Sequence, residues 1–283
     1  MPPIAPLLAA TPDVSRYNVV WNSPSKDPSG VMPVGNGDIA AGVYAIENGD
    51  LFLLLAKNDA YTYQGDLFKT GRVRVSLTPN PFQSGKPFRQ TLDLPTGSIR
   101  IDSDGTKLRI WADANRPVFH LEIESSREID VAAKPEFWKR FDHCSFNVAN
   151  GYEAPFGQPV QDAKLERNGR LLWYFAVGDR SIFPDDLKFY GIEHEAEKFA
   201  DPFRFNTFGN LLECSDLKPK DGALSGKGRK FDLRIHALTL QTPEPRNWID
   251  AIERQAAQPP RSVAIWLSSV ARRFEISWAR RSR

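Results

Sequence analysis

Paired carboxylates, one protonating a leaving oxygen while the other attacks or activates water, are the usual chemistry of glycosidic cleavage. The chain holds 35 Asp and Glu residues, so acids by themselves distinguish nothing. Asp38, Asp59, Glu122 and Glu136 lie near aromatic residues or turn signals, where a capped turn or a solvated strand face accounts for each. The four histidines, His120, His143, His194 and His236, lack the short pairing that metal sites use, such as two imidazoles at i and i+4 on a helix. His194, between Glu193 and Glu195, reads as surface loop. No Gly-x-Ser-x-Gly elbow is present, so serine-nucleophile hydrolysis is unsupported. Gly35-Asn36-Gly37-Asp38 has the look of a phosphate-cradling loop but lacks the Lys-Ser/Thr pair, and it is read as a tight turn between strands. No metal and no cofactor is expected. Trp21, Tyr61, Tyr63, Trp111, Trp138, Trp173 and Tyr174 offer flat apolar area with a polar handle, which suits a sugar face and a sandwich core equally.

These side chains must be carried by strands. Val73, Val75 and Leu77 alternate with Arg72, Arg74 and Ser76; Leu121 and Ile123 alternate with Glu122 and Glu124; Leu233, Ile235 and Ala237 alternate with Arg234 and His236. Period two is the mark of a half-buried strand. Turn chemistry punctuates the pattern at Asn48-Gly49-Asp50, Asp104-Gly105, Asn168-Gly169 and Asp221-Gly222. With 22 Pro and 19 Gly spread throughout, long helices have little room. The expectation is an all-β fold, a two-sheet antiparallel sandwich. One helix is predicted after Pro245, capped by Asn247 and running to about Gln258, with Trp248, Ile249, Ile252 and Ala256 on one face.

At 283 residues with 41% hydrophobic and 25% charged, the chain can bury a sizeable core, which excludes disordered and collagen-like classes. Its longest apolar runs, Leu51 to Ala56 and Leu171 to Val177, fall far short of the roughly 20 residues of a membrane-spanning helix. From Arg261 onward six Arg face one acid, Glu275, while the rest of the chain carries 31 basic and 34 acidic residues. Such a tail raises the rival of nucleic-acid or anionic-surface binding. Cys144 and Cys214 allow at most one bridge. Met1 to Ala10 is mildly apolar without a basic leader, so export stays open and the compartment unassigned.

A specific likeness emerges from words in a fixed order. These are Tyr17-Asn18-Val19-Val20-Trp21-Asn22-Ser23-Pro24-Ser25, Met32-Pro33-Val34-Gly35-Asn36-Gly37-Asp38-Ile39, Glu47-Asn48-Gly49-Asp50-Leu51, Gly71-Arg72-Val73-Arg74-Val75, Phe88-Arg89-Gln90-Thr91-Leu92-Asp93-Leu94, Leu172-Trp173-Tyr174, Thr207-Phe208-Gly209 and Leu233-Arg234-Ile235-His236-Ala237. Over about residues 17 to 250 the chain resembles the N-terminal domain of fucosidase-like bacterial glycoside hydrolases (glycoside hydrolase family 95), and more closely an uncharacterised bacterial family, domain of unknown function 5703. The resemblance implies a β-supersandwich, a helical linker and then a catalytic toroid of paired α-helices holding the acid and base. This divides the chain into an arm at 1–16, a sandwich at 17–244 and, at 245–283, a linker with a truncated or frameshifted tail. No catalytic residue carries over.

The expected function is thus a non-catalytic, carbohydrate-associated sandwich domain, with a free-standing sugar-binding module as the alternative and a complete small glycosidase as a further rival. Carbohydrate is the expected partner, with no nucleic acid and no membrane. The loop from Met32 to Asp38 is the candidate rim of a sugar cleft. Asn36 and Asp38 would offer hydrogen bonds to hydroxyls and Trp21 a stacking face, unless Asp38 serves only to hold the turn. The face of Trp248, Ile249 and Ile252 is expected to be exposed without the toroid.

Overall fold

The computed structural model describes residues 13–136 and 160–258. The N-terminal arm to residue 12, Trp138, His143, Cys144 and the Arg-rich tail lie outside the described residues, so the expectations placed on them are not addressed.

Among the described residues fourteen strands and two α-helices follow one another: β1 (Val19–Trp21), β2 (Met32–Gly35), β3 (Ile39–Ala45), β4 (Asp50–Tyr61), β5 (Leu67–Thr78), β6 (Phe88–Asp93), β7 (Ser98–Ser103), β8 (Thr106–Ala112), β9 (Val118–Glu136), β10 (Val160–Arg167), β11 (Arg170–Val177), α1 (Phe183–Phe189), β12 (Asn206–Glu213), β13 (Lys218–Lys220), β14 (Ala223–Gln241) and α2 (Pro245–Ala256). The strands pair antiparallel, as the alternating pattern and two-residue turns require. At Asp104-Gly105 and Asn168-Gly169 both residues of the turn adopt positive φ, the geometry that closes a two-residue hairpin.

The 19-residue strands β9 and β14 tie the two layers together. The first part of β9 pairs with β8, from Ala112↔Phe119 to Thr106↔Ser125, and its last part pairs with β5, from Thr78↔Asp130 to Arg72↔Glu136. Between them the β9–β14 register shifts at Gly228/Lys230. One layer runs β2-β3-β4-β5 into the end of β9, and the other runs β1-β6-β7-β8-β9-β14-β12-β11-β10. Alternate residues from both, among them Leu53, Val75, Ile99, Ile110, Leu121, Leu212 and Leu233, fill one apolar core. The fold is the all-β, two-sheet sandwich that the sequence pattern predicts. No helix among the described residues is long and apolar enough to cross a membrane.

Helix α2 departs from expectation in two ways. It starts two residues before Asn247, with Pro245 at the first helical position, and Asn247 instead donates to Thr242 Oγ1 at 3.0 Å. Its apolar face is also not left open. Trp248, Ile249, Ile252 and Ala256 are buried with Leu172 and Leu211 on the outer side of β11 and β12. Trp248 Nε1 donates to the Leu238 carbonyl at 3.0 Å, and Gln255 Nε2 to that of Ala237 at 3.2 Å. The sandwich covers the face predicted to await another domain, because β11 and β12 carry apolar residues on both sides.

Candidate functional site

The β2–β3 turn is built by Asn36. Its Oδ1 accepts the backbone N–H groups of Asp38 (2.9 Å) and Ile39 (3.0 Å), and its Nδ2 donates to the carbonyls of Asp113 (2.7 Å) and Arg116 (3.0 Å). A primary amide offers two acceptor positions and two donors. All four are used, so Asn36 positions the loop and has no bond left for a hydroxyl. Gly37 has φ +94°, and a side chain at Gly35 would meet the Ile39 carbonyl, so both glycines belong to this turn.

The turn presents Asp38 to Lys57. On β4 the inward row Leu51, Leu53, Leu55 fills the core and then runs past it, so the next positions of the same period are Lys57 and Asp59. Lys57 lies opposite Ile39 and is 6% exposed. Burial of an ammonium demands compensation. Two carboxylates supply it, because Lys57 Nζ lies 2.8 Å from Asp38 Oδ1 and 2.8 Å from Asp59 Oδ1. Both carboxylates remain accessible, with side-chain exposures of 41% and 50%. Asp38 and Lys57 line a cleft of about 370 Å³ whose walls include Val34, Ile39, Ala56 and Leu67.

Of the residues singled out from sequence, Asn36 and Asp38 share this turn, whereas Trp21 does not join them. Trp21 packs half-buried against the core and lines a different cleft of about 450 Å³ with the segment from Asn22 to Gly30. Exposed rings occur instead at Phe189 and Tyr190, in edge-to-face contact at 5.2 Å between β11 and β12. Among the other acids, Glu136 binds Arg72 and Arg74 at 2.8 Å each. Glu122 stands across the ladder from Asp232; desolvation raises its carboxyl, with Arg109 opposing and Asp232 adding to the shift. Asp59 was in view from the sequence, but Lys57 was not. The signal that reveals it is the continuation of the period-two row beyond Leu55.

A second charged cluster lies on the outer side of the larger sheet. Cross-strand pairing aligns Trp111, His120, Arg234 and Glu213 from β8, β9, β14 and β12. Glu213 forms ion pairs with Arg170 (2.8 Å) and Arg234 (3.1 Å) and a hydrogen bond with His236 Nε2 (2.9 Å). Burial alone would raise its carboxyl, but the His236 hydrogen bond and the charges of His236, Arg234 and Arg170 hold it below the usual value. His120 stacks on Trp111 with ring centroids 4.7 Å apart and planes at 4°. Burial lowers the His120 imidazole to about 4 and lowers His236 as well. His194 is exposed, as its acidic neighbours suggested. Among the described residues no group of three or more His, Cys, Asp or Glu is placed to hold a metal.

A family model described as a domain of unknown function (DUF5703), in its N-terminal part, matches residues 20–271. A search of curated proteins found no match.

Proposed function

The chain belongs to the DUF5703 family, and we propose that it acts as a non-catalytic, carbohydrate-associated β-sandwich of the kind that stands beside a catalytic toroid in fucosidase-like glycoside hydrolases. In this reading the β2–β3 turn forms part of the rim of a sugar cleft. The observation that carries it is Lys57 held between Asp38 and Asp59, with Lys57 and Asp38 lining a cleft that has apolar walls. Cleavage needs one carboxyl that donates a proton and another that attacks or activates water. Here both carboxylates accept hydrogen bonds from the same ammonium, so the pair offers acceptors to sugar hydroxyls and not the divided acid and base roles that cleavage needs. Binding sites for small ligands combine such fixed polar groups with apolar walls, and Val34, Ile39 and Leu67 provide the walls.

The test combines retention and turnover. The purified chain is expected to be retarded on an oligosaccharide affinity gel, with retardation lost in Asp38→Ala, and to release no nitrophenol from aryl-fucosides or related aryl-glycosides. A rival catalytic reading draws on Glu122, the half-buried acid with a raised carboxyl and a second acid across the ladder. Turnover abolished by Glu122→Gln would replace the proposal with that one. Retardation that instead depends on Trp21 and ignores Asp38 would favour a binding module centred on the other cleft.

A further inference from the structure

Resting on the reading that the Asp38 cleft meets carbohydrate, we infer that it takes an uncharged face of vicinal sugar hydroxyls and turns away acidic sugars. An ammonium carries three donors. Lys57 donates two of them to Asp38 and Asp59, and the third N–H has no hydrogen-bond partner among the described residues, on a side chain that lines the cleft. Each carboxylate uses Oδ1 for Lys57, and neither Oδ2 has a hydrogen-bond partner among the described residues. Asp38 and Lys57 on the cleft wall, with Asp59 on the far side of the ammonium, therefore set out acceptor, donor and acceptor in sequence. A hydroxyl both donates and accepts, so adjacent sugar hydroxyls can give protons to the outer carboxylates and receive one from the ammonium between them. A carboxylate or sulfate ligand has no proton to give to either flank. It can address only the single N–H, while facing both acids.

Charge reinforces this geometry. Two carboxylates around one ammonium leave the cluster with a net formal charge of −1, carried by two half-exposed acids of which Asp38 lines the cleft. An incoming anion meets repulsion that solvent and salt reduce but do not remove at contact distance. A protonated amino sugar meets attraction. Leu67, 54% exposed on the cleft wall, supplies an apolar surface for the C–H side of the ring.

A printed array of neutral, amino and acidic glycans tests the inference with the wild-type chain, Asp59→Asn and the Asp38→Asn/Asp59→Asn pair. Asn retains an oxygen that accepts from Lys57, and the single variant changes a half-exposed residue, so it guards against misfolding of the double one. The wild-type chain is expected to bind neutral or amino glycans at least about tenfold more tightly than uronic-acid or sulfated ones at low salt. That ratio should shrink in Asp59→Asn and invert in the double variant. Equal binding of acidic glycans by the wild-type chain, or an unchanged ratio in both variants, overturns the inference while leaving carbohydrate binding intact. Binding to no glycan of any class sinks the underlying carbohydrate reading, and this inference with it.

Discussion

The two charged clusters of this protein invert each other. Around Glu213 one acid is gripped by Arg170, Arg234 and His236, and the carboxylate is only 7% exposed. Around Lys57 one base is gripped by two acids that are 41% and 50% exposed and keep an oxygen free. The first is closed off among three strands of one sheet, and the one polar atom of its His236 left without a partner, Nδ1, is buried. The second keeps capacity in reserve at the edge of a cleft. Satisfied and buried polar groups hold a fold together, whereas partly satisfied and accessible ones are available to a ligand.

Removing the keystone of the closed cluster should have the largest effect. Glu213→Ala strands Arg170 and Arg234 without a counter-charge, and breaking a buried pair in this way costs about 3–5 kcal/mol. Urea denaturation measures it, and a loss below about 1 kcal/mol would mean that the cluster behaves like an open one.

Next comes a pH effect confined to the closed side. The fold holds His120 neutral, with its pKa lowered from 6.5 to about 4. Between these values the unfolded chain binds the proton and the folded chain does not, so stability is unaffected above 6.5, declines as pH falls towards 4, and levels off below. The full shift corresponds to a loss on the order of 3 kcal/mol. His236 contributes in the same direction. Denaturation curves from pH 7.5 to 4 should show a shallower decline in His120→Gln than in the wild-type chain, and equal slopes would contradict the assignment.

The smallest stability effect belongs to the open cluster. Asp59→Asn keeps an oxygen that accepts from the buried Lys57 and leaves it the charge of Asp38, so loss of the half-exposed Asp59 charge is worth about 1 kcal/mol. Unfolding midpoints should barely move while glycan preference changes. A stability loss as large as that of Glu213→Ala would show Asp59 to be a structural residue and remove the distinction between the clusters.

What the sequence revealed follows how local each feature is. Asp104-Gly105 and Asn168-Gly169 encode their hairpins within two residues, and the alternation around Val73 and Leu233 encodes strand and face together. The apolar face of α2 was equally plain. Its partner was not, because Leu172 and Leu211 lie on distant strands and nothing local shows that these strands are apolar on both sides. The helix start was misplaced because Pro245 begins the helix without a side-chain cap at Glu244. In the candidate site, the turn was legible from Gly35-Asn36-Gly37-Asp38. The division of labour within it was not, since the partners of Asn36 come from Asp113 and Arg116 and that of Asp38 from Lys57. The likeness of Trp21 to a stacking platform rested on residue type alone, and the fold places it on another cleft.

Saturation-transfer NMR on a neutral oligosaccharide mixed with the purified chain tests the central claim most directly, because one sample reports both contact and cleavage. Saturation of ring protons that disappears in Asp38→Ala is expected, with no growth of a new reducing-end anomeric signal over days. Growth of that signal with the wild-type chain, abolished by changing an acid within residues 17 to 250, would contradict it.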